Sequence, residues 1–277
     1  YANPLDVNHP LTQGLERLYV RLPHNVTTTD WRDLVVGDIG TFQNGATPAL
    51  DSPPGMLGSV DFDGNDDCID TTLDVLSLPL PHTYINVSRL DSGGSWIWAS
   101  ELGGTGQGFG WLWHSSNGIW FRYDDGTTDF RNQWSGVAQD VGNWHHHCIV
   151  LHSTSSAECY YDGVPQTLDG TSGPMNPLGA ALKFGGRGNN FSWNGPIALF
   201  AVYGRALSPS EVRAHFRDTG LSYLRRVSIP VVRKLGVGGH VITPDPVQAT
   251  FSVPAATVIT TVSPPPVTAT FNVVAPA

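Results

Sequence analysis

Asp61, Asp63, Asn65, Asp66 and Asp67 form the densest run of oxygen ligands in the chain. Calcium takes about six to eight oxygens, and carboxylates beside a glycine turn supply several of them. Asp63, Asp66 and Asp67 are therefore the candidate metal ligands. No cofactor is required, and calcium is the candidate ion. His145-His146-His147 is a second cluster with metal-ligand chemistry. On a strand, alternation sends His145 and His147 to one face and His146 to the other. Two ligands on a face do not close a site, so a packed strand is expected there. A third set is suited to sugar rings, which bind through flat aromatic faces and planar polar groups. Its members are Trp113, Trp120, Arg122 and Trp134, with Arg187 and Asn189 in a loop. No Gly-x-Ser-x-Gly elbow occurs, so serine-hydrolase chemistry of that kind is excluded.

These residues must be positioned mostly by strands. Gly14 to Leu22 predicts a first strand, ended by Pro23, and Trp31-Arg32-Asp33-Leu34 an anchor in the loop-rich stretch that follows. Val60 and Phe62 alternate with carboxylates before a Gly-Asn turn and a second short strand. Tyr84 to Leu90 is another strand. Trp96 and Trp98 are two apart, as are Trp111 and Trp113, so each pair is expected on one face of its strand. Ser116-Asn117-Gly118 is a hairpin turn that sets 108–114 antiparallel to 119–123. Trp144 to His152 and Ala157 to Asp162 make a further hairpin, on which Cys148 and Cys159 become diagonal neighbours too far apart to bridge easily. With Cys68 they are expected as free buried thiols. Ile197 to Tyr203 is an almost continuous apolar run, too short for a good helix. The helix signal comes next: Ser208 as N-cap, Pro209 at the first position, and Glu211 three residues on to close a capping box.

Composition narrows the function classes. A 277-residue chain with 31 Gly, 21 Pro and 10% aromatics suits one large β domain plus an extension. The net charge of −9 and only two lysines, Lys183 and Lys234, exclude nucleic acid as a main partner. Residues 205–234 are locally basic. No apolar run reaches the length of a membrane span. Asn25, Asn86 and Asn190 sit in glycosylation acceptor triplets, relevant if the chain is secreted by a eukaryotic route.

Four pieces, taken in order, resemble a laminin-G-like domain of the concanavalin A-like lectin/glucanase superfamily. They are Val60-Asp61-Phe62-Asp63-Gly64-Asn65-Asp66-Asp67, Trp144-His145-His146, Tyr161-Asp162-Gly163-Val164, and Gly195 through Glu211. The resemblance covers roughly residues 10–220. It implies an all-β fold, an antiparallel two-sheet jelly-roll sandwich with one short capped helix, in agreement with the strand count. Relatives often hold calcium at the rim of the sandwich. Their last strand commonly carries acidic residues just after the isoleucine, whereas Ile197 is followed here by Ala198-Leu199. Glycosidases resembling laminarinases carry a Glu-x-Asp-x-x-Glu strand, whose paired carboxylates flank the scissile bond. None of the glutamates, Glu16, Glu101, Glu158 and Glu211, has an aspartate two residues on. A catalytic role is not expected.

Beyond the domain the chain changes character. The boundaries expected are 1–225 for the jelly roll, 226–243 for a basic, glycine-rich connector, and 244–277 for extended strand repeats. Pro246 to Val253 returns twenty residues later as Pro266 to Val273. Val247, Phe251, Val253, Val267, Phe271 and Val273 then share faces of half-buried strands. Such strands are marginal alone, so residues 244–277 are expected to self-associate or dock on a larger scaffold. The reading is a non-catalytic display or adhesion protein at an extracellular, cell or virion surface. Its jelly roll would recognise a glycan or other surface ligand. A purely structural decoration or filament subunit is the alternative, ahead of a glycoside hydrolase.

Overall fold

The computed structural model describes residues 5–21, 30–56, 58–74, 78–92, 96–101, 108–114, 118–124, 129–137, 140–172, 181–186 and 192–218. By backbone contacts the chain divides into two units, 1–228 and 229–277. The second lies outside the described residues, and with it the strand repeats expected over 244–277.

The first unit is built of antiparallel strands, in chain order β1 Leu15–Val20, β2 Asp30–Arg32, β3 Ile39–Gln43, β4 Thr47–Ala49, β5 Ser59–Asp63 and β6 Cys68–Asp74. There follow β7 His82–Arg89, β8 Trp96–Glu101, β9 Gly108–His114, β10 Gly118–Asp124, β11 Asp129–Trp134 and β12 Trp144–Ser153. The last are β13 Ser156–Tyr161, β14 Val164–Pro165, β15 Gly170–Ser172, β16 Ala181–Phe184 and β17 Asn194–Tyr203, before the α-helix α1 Pro209–Asp218. One sheet has the order β14-β13-β12-β7-β17-β5-β4, with β1 also on β17. The other has the order β15-β11-β10-β9-β8-β16-β6-β3-β2. Two packed antiparallel sheets of this kind are the jelly-roll sandwich the sequence predicted.

Burial patterns show which faces are covered. β7, β12 and β17 are buried almost residue by residue, without alternation. Both faces of their sheet must therefore be covered. One face meets the opposite sheet in a core of Tyr19, Trp31, Phe62, Phe184, Trp193 and Phe200 among others. The other carries Leu18, Ile85, Cys148, Val150, Leu199, Ala201 and Tyr203 and is capped by Leu5, Leu11, Leu207 and Val212. Those caps come from the N-terminal segment, the approach to α1, and α1 itself. β6 and β16 instead alternate buried with partly exposed residues. The nine-stranded sheet thus keeps one face toward solvent.

The Asp61–Asp67 stretch does not form a hairpin. β5 lies in one sheet and β6 in the other, so the Gly64-Asn65 turn crosses between layers. β9 and β10 pair antiparallel as expected, with Gly118 opposite His114 and a φ of 76° at Gly118, while the turn residues 115–117 lie outside the described residues. The backbone register of β8 shifts between Trp96, opposite Leu112, and Trp98, opposite Trp111. The side chains of both tryptophans, and with them the expectation that they share a face, lie outside the described residues. Cys148 pairs with Tyr160, and Cys159 with Ile149, so the two cysteines are on opposite faces rather than diagonal neighbours. Both are free and buried, as is Cys68. Asn86 is buried in β7, where its Nδ2 lies 3.4 Å from the Leu199 carbonyl, so the folded chain offers no glycosylation site there.

Candidate functional site

The acidic turn is closed by its own hydrogen bonds. The Asn65 backbone N–H and its Nδ2 donate to the two oxygens of Asp63, at 2.8 and 3.0 Å. The Asp63 backbone N–H donates to Asp67 Oδ2 at 2.9 Å. Ser192 Oγ holds the Asn65 carbonyl at 2.6 Å. Carboxylate oxygens of Asp63, Asp66 and Asp67 lie within 4.8 Å of one another. Asp67 is 3% exposed, and burial raises its carboxyl above the usual aspartate range. Its Oδ1 accepts no hydrogen bond. Three of the six carboxylate oxygens already serve the turn, which the arrangement closes without an ion.

The histidine strand is packed, as alternation predicted. His145 and His147 share a face, with ring centroids 6.4 Å apart, and His145 stacks on Tyr161 at 4.6 Å. His145 Nδ1 bonds Asp162 Oδ2 at 2.8 Å, while its Nε2 lies 3.3 Å from Asp140 Oδ2. His147 lies against Trp111, and burial lowers its pKa to about 3. His146 faces the other way, toward α1. Of the described glutamates, Glu158 and Glu211 serve structure. Glu158 accepts the Tyr160 hydroxyl, and Glu211 closes the α1 cap.

The solvent face of the nine-stranded sheet carries the remaining chemistry. Strand pairing places Thr41, Asp70, Lys183, Ala99, Gly110 and Arg122 in one row across β3, β6, β16, β8, β9 and β10. Lys183 Nζ and Asp70 Oδ1 form an ion pair at 2.8 Å, with both side chains partly exposed. From Lys183 to Arg122 is three strand spacings, about 14 Å. The two strands between contribute Ala99 and Gly110 to the row by backbone pairing. Two residues from Arg122, Trp120 pairs with Gln133 of β11, and both are partly exposed. The result is an aromatic face, a guanidinium, an amide and an ion pair on one sheet face, which is hydrogen-bonding and stacking equipment for a polyhydroxylated ligand.

This face sorts the sugar-binding candidates. Trp120 and Arg122 lie on it. Trp134 does not: it is 1% exposed and stacks on Trp111 in the inter-sheet core, with centroids 6.3 Å apart, so it presents no face to a sugar. The backbone of Trp113 pairs with Ile119, and its side chain lies outside the described residues. Arg187 and Asn189 also lie outside them. Sequence reasoning missed Gln133, Lys183 and Asp70. Alternation in Ala-Leu-Lys-Phe turns Lys183 outward, but only the pairing of β16 with β6 brings it to Asp70.

A family model described as the concanavalin A-like lectin/glucanases superfamily (Laminin_G_3) matches residues 82–213. No curated protein matches the chain. Similar solved structures include domain 4 of an extracellular arabinanase from Geobacillus stearothermophilus, in complex with arabinotriose. It has a TM-score of 0.58 at 16% identity, over 72% of this chain and 97% of that one. The binding domain of Paraclostridial Mosquitocidal Protein 1 has a TM-score of 0.56 at 15% identity, over 75% and 52%. A Trypanosoma rangeli sialidase in complex with the inhibitor DANA has a TM-score of 0.52 at 16% identity, over 72% of this chain but only 32% of the sialidase. The chain thus spans about a third of the sialidase's length, and at these identities the likeness is one of fold. The two-sheet topology, the capped helix after β17 and the family match together place residues 82–213 in the laminin-G-like branch of the concanavalin A-like lectin/glucanase superfamily.

Proposed function

We propose that the laminin-G-like unit is a non-catalytic glycan-binding module, displayed at a cell or virion surface and assembled through residues 244–277. The observation that carries the binding half is the open sheet face with Trp120, Arg122, Gln133 and the Lys183–Asp70 pair. In the opposite sheet the central strands β7, β12 and β17 are buried on both faces. The arabinotriose bound to the similar arabinanase domain supports a carbohydrate ligand for this fold. The absence of a paired-carboxylate strand in the sequence, and the structural duties of Glu158 and Glu211, support binding without hydrolysis.

A glycan array followed by calorimetric titration of the best ligand tests this reading. Trp120→Ala should weaken binding about tenfold or more, ~1.4 kcal/mol, through lost stacking, with the melting temperature unchanged. An array without hits, or hits indifferent to Trp120 and Arg122, would sink it. The titration is run with calcium and with a chelator. Asp63, Asp66 and Asp67 are the residues that would hold the ion, and their existing hydrogen bonds favour calcium-independent binding. For assembly, electron microscopy and light scattering of the full chain against residues 1–228 should show multimers only in the former.

A further inference from the structure

α1 rests on the outer face of the eight-stranded sheet through a pair of histidines. His146 of β12 and His215 of α1 are 2% and 0% exposed, and His146 Nε2 lies 3.1 Å from His215 Nδ1. At that distance one ring nitrogen carries the proton and the other accepts it, so the neutral pair satisfies the two nitrogens that face each other. A further proton on the accepting nitrogen turns that hydrogen bond into a contact between two donors, and a proton on either ring adds charge in an apolar setting. That setting includes Phe216, 5.8 Å from His146, and Tyr203, 6.3 Å from His215. α1 has only two buried side chains, Val212 and His215, so the histidine is half of its buried anchorage.

The titratable groups around the pair are already engaged. On β12, His145 and His147 face the other side of the sheet. At the end of β13, Asp162 Oδ1 accepts the His146 backbone N–H and its Oδ2 bonds His145. Tyr160 donates to Glu158, with Arg213 nearby. On β17 the Tyr203 hydroxyl donates to the Leu11 carbonyl. On β7 the residue opposite His146 is Val87. On α1, Glu211 is held by Arg205 and Ser208, and the last turn adds the cation Arg217.

We propose that α1 is an acid-released clasp: protonation of the His146–His215 pair detaches the helix and uncovers the apolar sheet face beneath it. With α1 detached, both rings reach water and titrate near their ordinary pKa of about 6.5. Docked, burial holds His215 down to about 4, and burial with the neighbouring ring holds His146 well below its usual value. The detached state therefore binds more protons across this window. Its population rises as pH falls from about 6.5, by about tenfold per pH unit for each histidine. The face uncovered holds Cys148 with Val150, Ala201 and Tyr203. Cys159 lies on the opposite side, in the inter-sheet core, and Cys68 lies in β6 of the other sheet.

The three cysteines supply the test. The full-length protein is exposed to a dithiodipyridine reagent at intervals from about pH 7.5 to about pH 4.5, spanning the histidine range. Site-resolved mass spectrometry reads each cysteine against a free cysteine peptide at the same pH. The expected result is a Cys148 rate that climbs about tenfold or more per unit below pH ~6.5, while Cys68 and Cys159 stay protected. His215→Phe should remove about tenfold per unit from that climb. Should this variant not fold, hydrogen exchange on the unaltered protein replaces it. Exchange should accelerate across 209–218 while β12 stays protected. Cys148 protected down to about pH 4.5, or exposed together with Cys159, overturns the proposal, as does a His215→Phe climb equal to that of the unaltered protein.

Discussion

Asp33 shows what one buried carboxylate does in this sandwich. It is 0% exposed and accepts the backbone N–H groups of Leu18, Val35 and Val36 at 2.8, 3.0 and 3.3 Å, with Arg17 3.5 Å away. Burial raises its pKa against the pull of those donors. Asp33→Ala strands the buried Leu18 donor and the two partly buried donors of Val35 and Val36, and should cost about 2–3 kcal/mol in urea unfolding. Lys183 is the contrasting case. Its pair with Asp70 is partly exposed, so Lys183→Gln should change stability by less than ~1 kcal/mol. On the glycan-binding reading it should nonetheless weaken the ligand several-fold in the same titration. An exposed residue that matters to ligand and not to stability is the signature of a site.

At the scale of elements, α1 depends on its cap. Ser208 Oγ accepts the Glu211 N–H at 3.3 Å, and Glu211 Oε2 accepts the Ser208 N–H at 2.8 Å, both halves of the capping box the sequence predicted. Arg205 beside Glu211, with the Ser208 bonds, lowers its pKa to about 2. A lowered carboxylate contributes stability above its unfolded pKa and loses it as pH falls toward the folded value, here between about 4.5 and 2. The cap is thus intact over the pH range in which the histidine pair titrates. Ser208→Ala should cost about 1 kcal/mol of helix anchorage and raise Cys148 labelling about fivefold at neutral pH, leaving its pH slope unchanged. β10 is equally constrained at its first residue. A Cβ on Gly118 would meet the Trp134 carbonyl at 2.2 Å. Gly118→Ala should lower the melting temperature measurably through strain at positive φ.

Over the whole molecule, four buried histidines set the acid limit. Burial lowers His82 and His215 to about 4 and His147 to about 3, and it holds His146 well down. Each is neutral when folded and takes a proton when unfolded below pH ~6.5. Stability is therefore full above that pH and declines as pH falls, by up to about 1.4 kcal/mol per unit for each histidine. Urea midpoints should fall steadily from about pH 6.5 to about pH 4, a window earlier than that of ordinary carboxylates. A flat profile there would show that these rings are not buried neutral.

Much of this was written locally. The alternating Val60 and Phe62, the β9–β10 pairing, the apolar β17 and the Ser208–Glu211 box each rest on contacts within a few residues, and each formed where it was expected. The histidine strand split its rings by alternation alone. Which faces would be covered was not local. Alternation says that two faces of a strand differ, and nothing about what packs on either. Trp120 and Trp134 belong to paired neighbouring strands and carry equal weight in the sequence. Yet the opposite sheet buries Trp134, while the other side of the same sheet leaves Trp120 partly exposed. The register shift between Trp96 and Trp98 is a backbone feature that residue types could not reveal. The meeting of Lys183 with Asp70, and of His146 with His215, joins residues far apart in the chain. Only the tertiary structure decides such pairs, because long-range strand order and helix docking are settled by the burial of whole faces rather than by any residue's own preference.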